Sequence, residues 1–262
     1  MKNELYQVDA FSDKLFGGNP AAVCPLTAWL TDDILQKIAM ENNLAETAFY
    51  VPTDDYYEIR WFTPTVEVDL CGHATLAAAF VLFYQKGYSG DSIRFYSYRS
   101  GELVVSRSSD WLTLDFPADD FYSIPVSRDL TDCFDRTPLE AFKGKTDYML
   151  VFENEADITT IRPDVTAIAR LSARGVIITA GGEQVDVVSR FFAPQSGITE
   201  DPVTGSAHTT LAPYWCNRLH KAAITAMQLS DRKGYLKCEL KEARVLISGQ
   251  ARLYLSGEIT ID

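Results

Sequence analysis

The order of apolar and polar positions along this chain spells strand, turn, helix and strand twice over. Residues 8–23 read as two strands about a Gly17-Gly18-Asn19-Pro20 turn. Thr31 reads as an N-cap, with Asp32 and Asp33 in the first turn of a helix that spaces Ile34, Leu35, Ile38 and Ala39 on one face and stops at Asn42-Asn43. Residues 46–51 and 57–62, rich in β-branched and aromatic side chains, predict a pair of strands. From Gly72-His73 a helix runs to about residue 86, with Gly87 as its expected C-cap. Leu76, Ala77, Ala78, Ala79, Phe80, Val81, Leu82 and Phe83 make it apolar on nearly every side, so it is predicted to be buried and wrapped by its own sheet. Two hairpins turn near Ser100-Gly101 and Ser108-Ser109-Asp110, and after Phe116-Pro117 the pattern loosens into a polar stretch around Asp119-Asp120. A helix near 162–171, strands at 175–179 and 185–192, a loop and helix from Gly205, and strands up to Ile261 follow. Pro213 is expected to end or kink that last helix.

The second half repeats residues as well as pattern. Arg60-Trp61-Phe62-Thr63-Pro64 leads into Cys71-Gly72-His73-Ala74-Thr75-Leu76-Ala77, and Arg190-Phe191-Phe192-Ala193-Pro194 leads into Thr204-Gly205-Ser206-Ala207-His208-Thr209-Thr210-Leu211-Ala212. Phe62 and Phe192 stand 130 positions apart (192 − 62) in a chain of 262 residues. Two copies of this size predict two similar domains with a cleft between them, where a short period would signal a solenoid. The expected fold is α+β, with pseudo-symmetric domains at residues 1–117 and 118–262. Each is a curved, mostly antiparallel sheet wrapped around a central helix starting near His73 or Ser206, and the last strand may pair back with the first domain.

Composition narrows the partners. A formal charge of −12 with a pI near 4.7 argues against nucleic acid, which calls for a concentrated basic face. The longest nearly apolar run, residues 74–84, falls short of the roughly 20 that span a bilayer, so no membrane is expected. The polar first residues lack the apolar segment of a secretory signal, and five scattered cysteines do not form a disulfide framework. Both point to the cytoplasm.

Chemistry concentrates in the repeated loops. A small-residue turn feeding a helix exposes backbone N–H groups and the positive end of the helix dipole, which suits a carboxylate. Gly72 in one loop and Gly205 and Ala207 in the other supply such turns, and a small acid gripped from both sides is the expected ligand. Glu46, sixteen residues before Phe62 (62 − 46), heads an apolar strand, where a carboxyl group is costly unless paired, exposed or functional. By the same count its counterpart is Val176 (192 − 16). The second copy is three residues longer between Phe192 and Gly205 than between Phe62 and Gly72 (13 against 10), and the added length is read as including Glu200-Asp201-Pro202-Val203, which brings Asp201 to the cleft. His73 and His208 are two of three histidines, both in these loops. Cys71 and Ser206 fall in nearly equivalent places, but no GxSxG elbow supports a nucleophile reading. No HExxH or CxxC pair, P-loop or GxGxxG is present, so neither metal nor nucleotide cofactor is expected.

Taken together, these residues resemble the PhzF-type isomerase family of phenazine biosynthesis, itself related in fold to diaminopimelate epimerase. The likeness rests on Val8-Asp9-Ala10-Phe11, Gly18-Asn19-Pro20, Asn43-Leu44-Ala45-Glu46-Thr47-Ala48-Phe49, Trp61-Phe62-Thr63-Pro64, Cys71-Gly72-His73-Ala74-Thr75 and Glu200-Asp201-Pro202-Val203-Thr204-Gly205-Ser206-Ala207-His208. The resemblance implies that Glu46 is the proton-transferring acid/base, with His73, Asp201 and Ser206 around the substrate, in a cofactor-free isomerase of a small carboxylic acid, commonly a homodimer. Two departures stand out: Ser206 where epimerase relatives carry a second thiol, and Asp69 where the family often has an apolar residue or proline. A metabolite-binding protein without catalysis, or a Cys/Ser hydrolase, are the alternative classes.

Overall fold

The apolar runs pair as strands in the same order in both halves of the chain. A computed structural model describes residues 1–261, which divide into two units: Met1–Asp115 together with the residues from Ser248 onward, and Phe116–Ile247.

The first unit contains β1 (Lys2–Ala10), β2 (Asn19–Pro25), α1 (Asp32–Asn42), β3 (Glu46–Pro52), β4 (Tyr57–Phe62), β5 (Glu67–Val68), α2 (Gly72–Tyr84), β6 (Ser92–Ser97), β7 (Gly101–Ser108) and most of β8 (Trp111–Pro117). β1–β2 is antiparallel, β2–β3 parallel, β3–β4 antiparallel, β4–β6 parallel and β6–β7 antiparallel. Every residue of β3 before Pro52 is buried because the strand is covered on both faces. Cys24, Phe49 and Phe62 pack toward Leu35, Ile38 and Ala39 of α1. Against β1, β2, β3 and β7 lies α2, buried along its length apart from Phe80 and Tyr84. Burying its Leu76, Leu82 and Phe83 contributes about 2 kcal/mol each. Gly18, with φ of +65°, makes the turn into β2: a Cβ there would lie 2.1 Å from the Ala10 carbonyl oxygen.

The second unit contains β9 (Tyr122–Ile124), α3 (Arg128–Thr131), β10 (Glu140–Lys143), β11 (Asp147–Val151), α4 (Glu155–Thr160), α5 (Val165–Ile168), β12 (Gly175–Gly181), β13 (Val187–Phe192), α6 (His208–Leu219), β14 (Ala223–Gln228), β15 (Gly234–Lys241) and most of β16 (Arg244–Gly249). β10–β11 is antiparallel, β11–β12 parallel, β12–β13 antiparallel, β13–β14 parallel and β14–β15 antiparallel, the same five senses as in the first unit. The last strand, β17 (Ala251–Thr260), runs antiparallel to β1 from Lys2↔Thr260 to Ala10↔Ala251, so the final residues belong with the first unit rather than with the second half of the sequence. Among the described residues, no helix is long and apolar enough to cross a membrane.

Several expectations are corrected. α2 ends at Tyr84 with Gln85 as C-cap, and Gly87 supplies its φ of +70° two residues later. The helix expected near 162–171 shrinks to α5, because Pro163 forms an isolated bridge with Phe134 and the helix starts only after Asp164, whose side chain caps Ala167 N–H. α6 begins at His208 rather than near Ser206; Gly205, Ser206 and Ala207 form a tighter turn, marked by His208 N–H bonding to Gly205 O at 3.0 Å and Thr209 N–H to Ser206 O at 3.1 Å. Pro213 does not end α6. The carbonyl that its missing N–H leaves open, on Thr209, accepts the Asp119 N–H at 3.1 Å instead.

Candidate functional site

Glu46 is the first residue of β3, held by parallel pairing of Ala21 with Glu46 and by Thr47 opposite Phe62. It is 8% exposed, so the strand-head carboxyl is buried rather than standing in water. α2 starts beside it, and the N-cap residue Cys71 and His73 in its first turn are equally buried. His73 Nε2 lies 3.1 Å from Glu46 Oε2. On the other side of the ring, Nδ1 is 3.2 Å from the Asn19 side-chain amide and 3.5 Å from Cys71 Sγ.

Burial by itself would lower the His73 pKa, but the Cys71 sulfur at 3.5 Å and above all the Glu46 carboxylate at 3.1 Å outweigh it and hold the imidazole above its ordinary value. The Cys71 thiol is pushed up to about 11, first by burial and then by Glu46, so it is a thiol and not a thiolate at neutral pH. The Asn19 amide serves either protonation state of Nδ1, since a half-turn exchanges the NH₂ that faces a bare nitrogen for the oxygen that faces an N–H. Glu46, Cys71 and His73 bring donor atoms within 4.8 Å of one another, which invites comparison with a metal centre. The sulfur is nearer Nδ1 (3.5 Å) than Nε2 (4.0 Å), whereas the carboxylate meets Nε2. An ion in line with either nitrogen would leave one of the other donors behind it.

In the second unit, Asp201 is 7% exposed and its carboxylate accepts the Thr204 hydroxyl, while Gln228 ties the segment by donating to Asp201 O at 2.7 Å and accepting from Thr204 N–H at 2.9 Å. His208 is fully buried and donates from Nδ1 to Thr204 O at 2.9 Å; burial lowers its pKa to about 4, so it is neutral. Ser206 is half-buried, between buried Gly205 and Ala207, and its Oγ accepts from Arg174 Nη1 at 3.0 Å. Arg174 is in turn clasped by Asp147, through Nε to Oδ1 at 2.9 Å and through Nη2 to Oδ2.

Side-chain pairings fix how the two halves correspond, and they revise three equivalences read from spacing. Arg60 bonds Glu67 through Nε and Nη2 (2.7 and 2.9 Å) and lies over Phe62; Arg190 bonds Glu200 the same way (2.8 and 2.9 Å) and lies over Phe192. Glu200 therefore matches Glu67, and the three added residues fall earlier, where Pro194–Ser196 makes an extra 3-10 turn. Thr75 bonds Cys71 O as His208 bonds Thr204 O, so Cys71 matches Thr204 and the mate of Ser206 is His73. Thr47 opposes Phe62 as Val176 opposes Phe192, so the mate of Glu46 is Gly175, not Val176. Asp69 is 78% exposed on its side chain and paired with Arg99 at 3.0 Å, outside the Glu46 cluster. Sequence reading missed the roles of Asn19, Gln228, Arg174 and Asp147; of these only Asn19 lay in a motif already singled out, the Gly18-Asn19-Pro20 turn.

Comparison with known proteins agrees along the whole chain. The family described as phenazine biosynthesis-like protein, PhzC-PhzF, matches residues 8–257. A Pseudomonas aeruginosa protein named as an uncharacterized isomerase is 50% identical over 259 residues, covering 99% of both chains. A crystal structure of a PhzF-family phenazine biosynthesis protein from Enterococcus faecalis is 45% identical, with a TM-score of 0.97 over 100% of each chain. In fold alone, a probable proline racemase from Agrobacterium radiobacter, at 9% identity, aligns with a TM-score of 0.66 over 99% of this chain and 93% of that one.

Proposed function

We propose, from the premise that this chain belongs to the PhzC-PhzF family of phenazine biosynthesis-like proteins, that it is an isomerase moving a proton on a small carboxylic acid, with Glu46 as general acid and base. The observation that carries the proposal is the buried Glu46–His73 pair at 3.1 Å, braced by Asn19. In this reading the Glu46 carboxylate removes a proton from a carbon next to a carboxyl-bearing or unsaturated centre. The substrate's own conjugated system takes up the electron pair, so no metal or organic cofactor is called for. Glu46, now protonated, returns the proton at another carbon. His73, with Nε2 3.1 Å from the carboxylate, orients the ligand beside it. Asp201 orients the ligand and Ser206 supplies a hydrogen bond, while backbone N–H groups around Gly72, Gly205 and Ala207 receive the substrate's carboxylate and Cys71 lines its place. The Cys71 thiol, held up at about 11, is a poor nucleophile at neutral pH and weighs against the hydrolase alternative.

Native mass spectrometry of the purified protein is the way to identify a co-purifying acid, and solvent-deuterium incorporation into that acid then reports turnover. Glu46→Gln should lower exchange by about 10²–10⁴-fold with affinity largely retained. Exchange at the wild-type rate in Glu46→Gln removes Glu46 from the mechanism; no exchange in the wild type favours a binding protein. A homodimer is part of the same proposal, to be tested by light scattering of the eluting protein.

A further inference from the structure

The correspondence between the halves sets two side-chain contacts in register. In the first unit His73, one residue after Gly72, meets Glu46, the first residue of β3. In the second unit its mate Ser206, one residue after Gly205, meets Arg174, the residue just before the first residue of β12. Gly175 stands in the place of Glu46, and a Cβ there would come 2.5 Å from the Phe191 ring and 2.7 Å from Phe192 O. With no side chain at 175, the preceding residue reaches the loop instead.

Arg174 is built to hold one pose. Asp147, 3% exposed and opposite Gly175 on β11, takes the Nε and Nη2 edge, and the guanidinium lies over the Phe191 ring at 5.2 Å. That leaves Nη1 to donate to Ser206 Oγ at 3.0 Å, with the side chain about a third exposed. A guanidinium has no acceptor, so this bond occupies a lone pair of the hydroxyl and turns the Ser206 proton away from Arg174. Donation from a cation also polarises the O–H and makes it a stronger donor.

We infer that Arg174 is the positioning residue of the second loop: clasped by Asp147, it fixes the Ser206 hydroxyl as a hydrogen-bond donor to a carboxylate oxygen of the ligand. The inference rests on the functional reading above, which gives Ser206 that bond.

The test uses benzoate as a carboxylate probe and benzamide as its neutral isostere, titrated into the full chain while the Gly205, Ser206 and Ala207 amide resonances are followed. Benzoate should shift those amides, and Ser206→Ala should weaken it roughly tenfold, the loss of one hydrogen bond to a charged group. Arg174→Gln, combined with Asp147→Asn so that no buried carboxylate is orphaned, should weaken benzoate by a similar factor and leave benzamide within twofold. Adding Ser206→Ala to that variant should cost nothing further, and Arg174→Lys should restore part of the affinity. If Ser206→Ala weakens benzoate but the Arg174 variant does not, or if their effects add, the inference is overturned and the functional reading stands. Equal weakening of benzoate and benzamide would mean that Arg174 only supports the fold. Should benzoate leave those amides unmoved, or Ser206→Ala leave its affinity unchanged, the role given to Ser206 fails and this inference fails with it.

Discussion

His73 and His208 are both buried, yet their titrations run in opposite directions. The chain has only three histidines, so their ring ¹⁵N signals are separable. For His73, partners override burial: its folded pKa lies above the unfolded value, so its contribution to stability is present below pH ~6.5 and lost as pH rises through the folded value. Glu46→Gln, which removes one of the raising partners, should move the His73 titration downward. A His73 that titrates identically in both proteins would mean that the pair is not coupled. For His208 burial wins and the folded pKa falls to about 4, so its contribution is present above pH ~6.5 and lost as pH falls toward 4. A drop of this size is on the order of 3 kcal/mol across that window. Urea titrations between pH 7 and pH 4 should show a shallower loss of stability in His208→Gln than in the wild type.

Periodic elements were legible in the sequence and polar ones were not. α2 and β3 announce themselves because both faces are apolar and β4 by its alternation of apolar with polar residues, while β9, β10 and β11 are short and set among charged residues, so the polar stretch after Pro117 hid three strands. Of the residues singled out in the sequence, Cys71 and His73 stand in the repeat and Glu46 outside it, and the three come together, while Asp201 and Ser206 lie in the second loop's network. Counting positions misassigned the mate of Glu46 because the β12–β13 turn, residues 182–186, is one longer than the β3–β4 turn, residues 53–56. Arg174 and Ser206, 32 positions apart, flank the β12–β13 pair, and the β11–β12 pairing adds Asp147 opposite Gly175, none of which a local pattern encodes. Glycines offer a test at this scale. Gly18 and Gly87 share a positive φ, but a Cβ would strike Ala10 O at Gly18 and open space at Gly87. Gly87→Ala should cost about 1–2 kcal/mol of strain, and Gly18→Ala clearly more, measured by chemical denaturation. Equal losses would show that the turn before β2 relaxes freely.

Covalent continuity differs between the two units. The second is a single run of chain, Phe116–Ile247, whereas the first needs the residues from Ser248 onward to supply β17 against β1. Expressed alone, 116–247 should give a dispersed amide spectrum and a cooperative melt. Residues 1–115 alone should not, because β1 would lose β17 from Lys2 to Ala10 and keep only β2 against its second half, and adding 248–262 in trans should restore order. Independent folding of 1–115 would show that β17 is dispensable. The β1–β17 seam has a further consequence. It joins the two ends of the chain: Ile261 N–H bonds to Met1 O at 2.8 Å, and the Met1 amine to Ile261 O at 2.5 Å. Bridging residues 262 and 1 with a few glycines and opening the chain at 119–121 would yield a circular permutant in which the first unit is one uninterrupted stretch, followed only by the first few residues of the second.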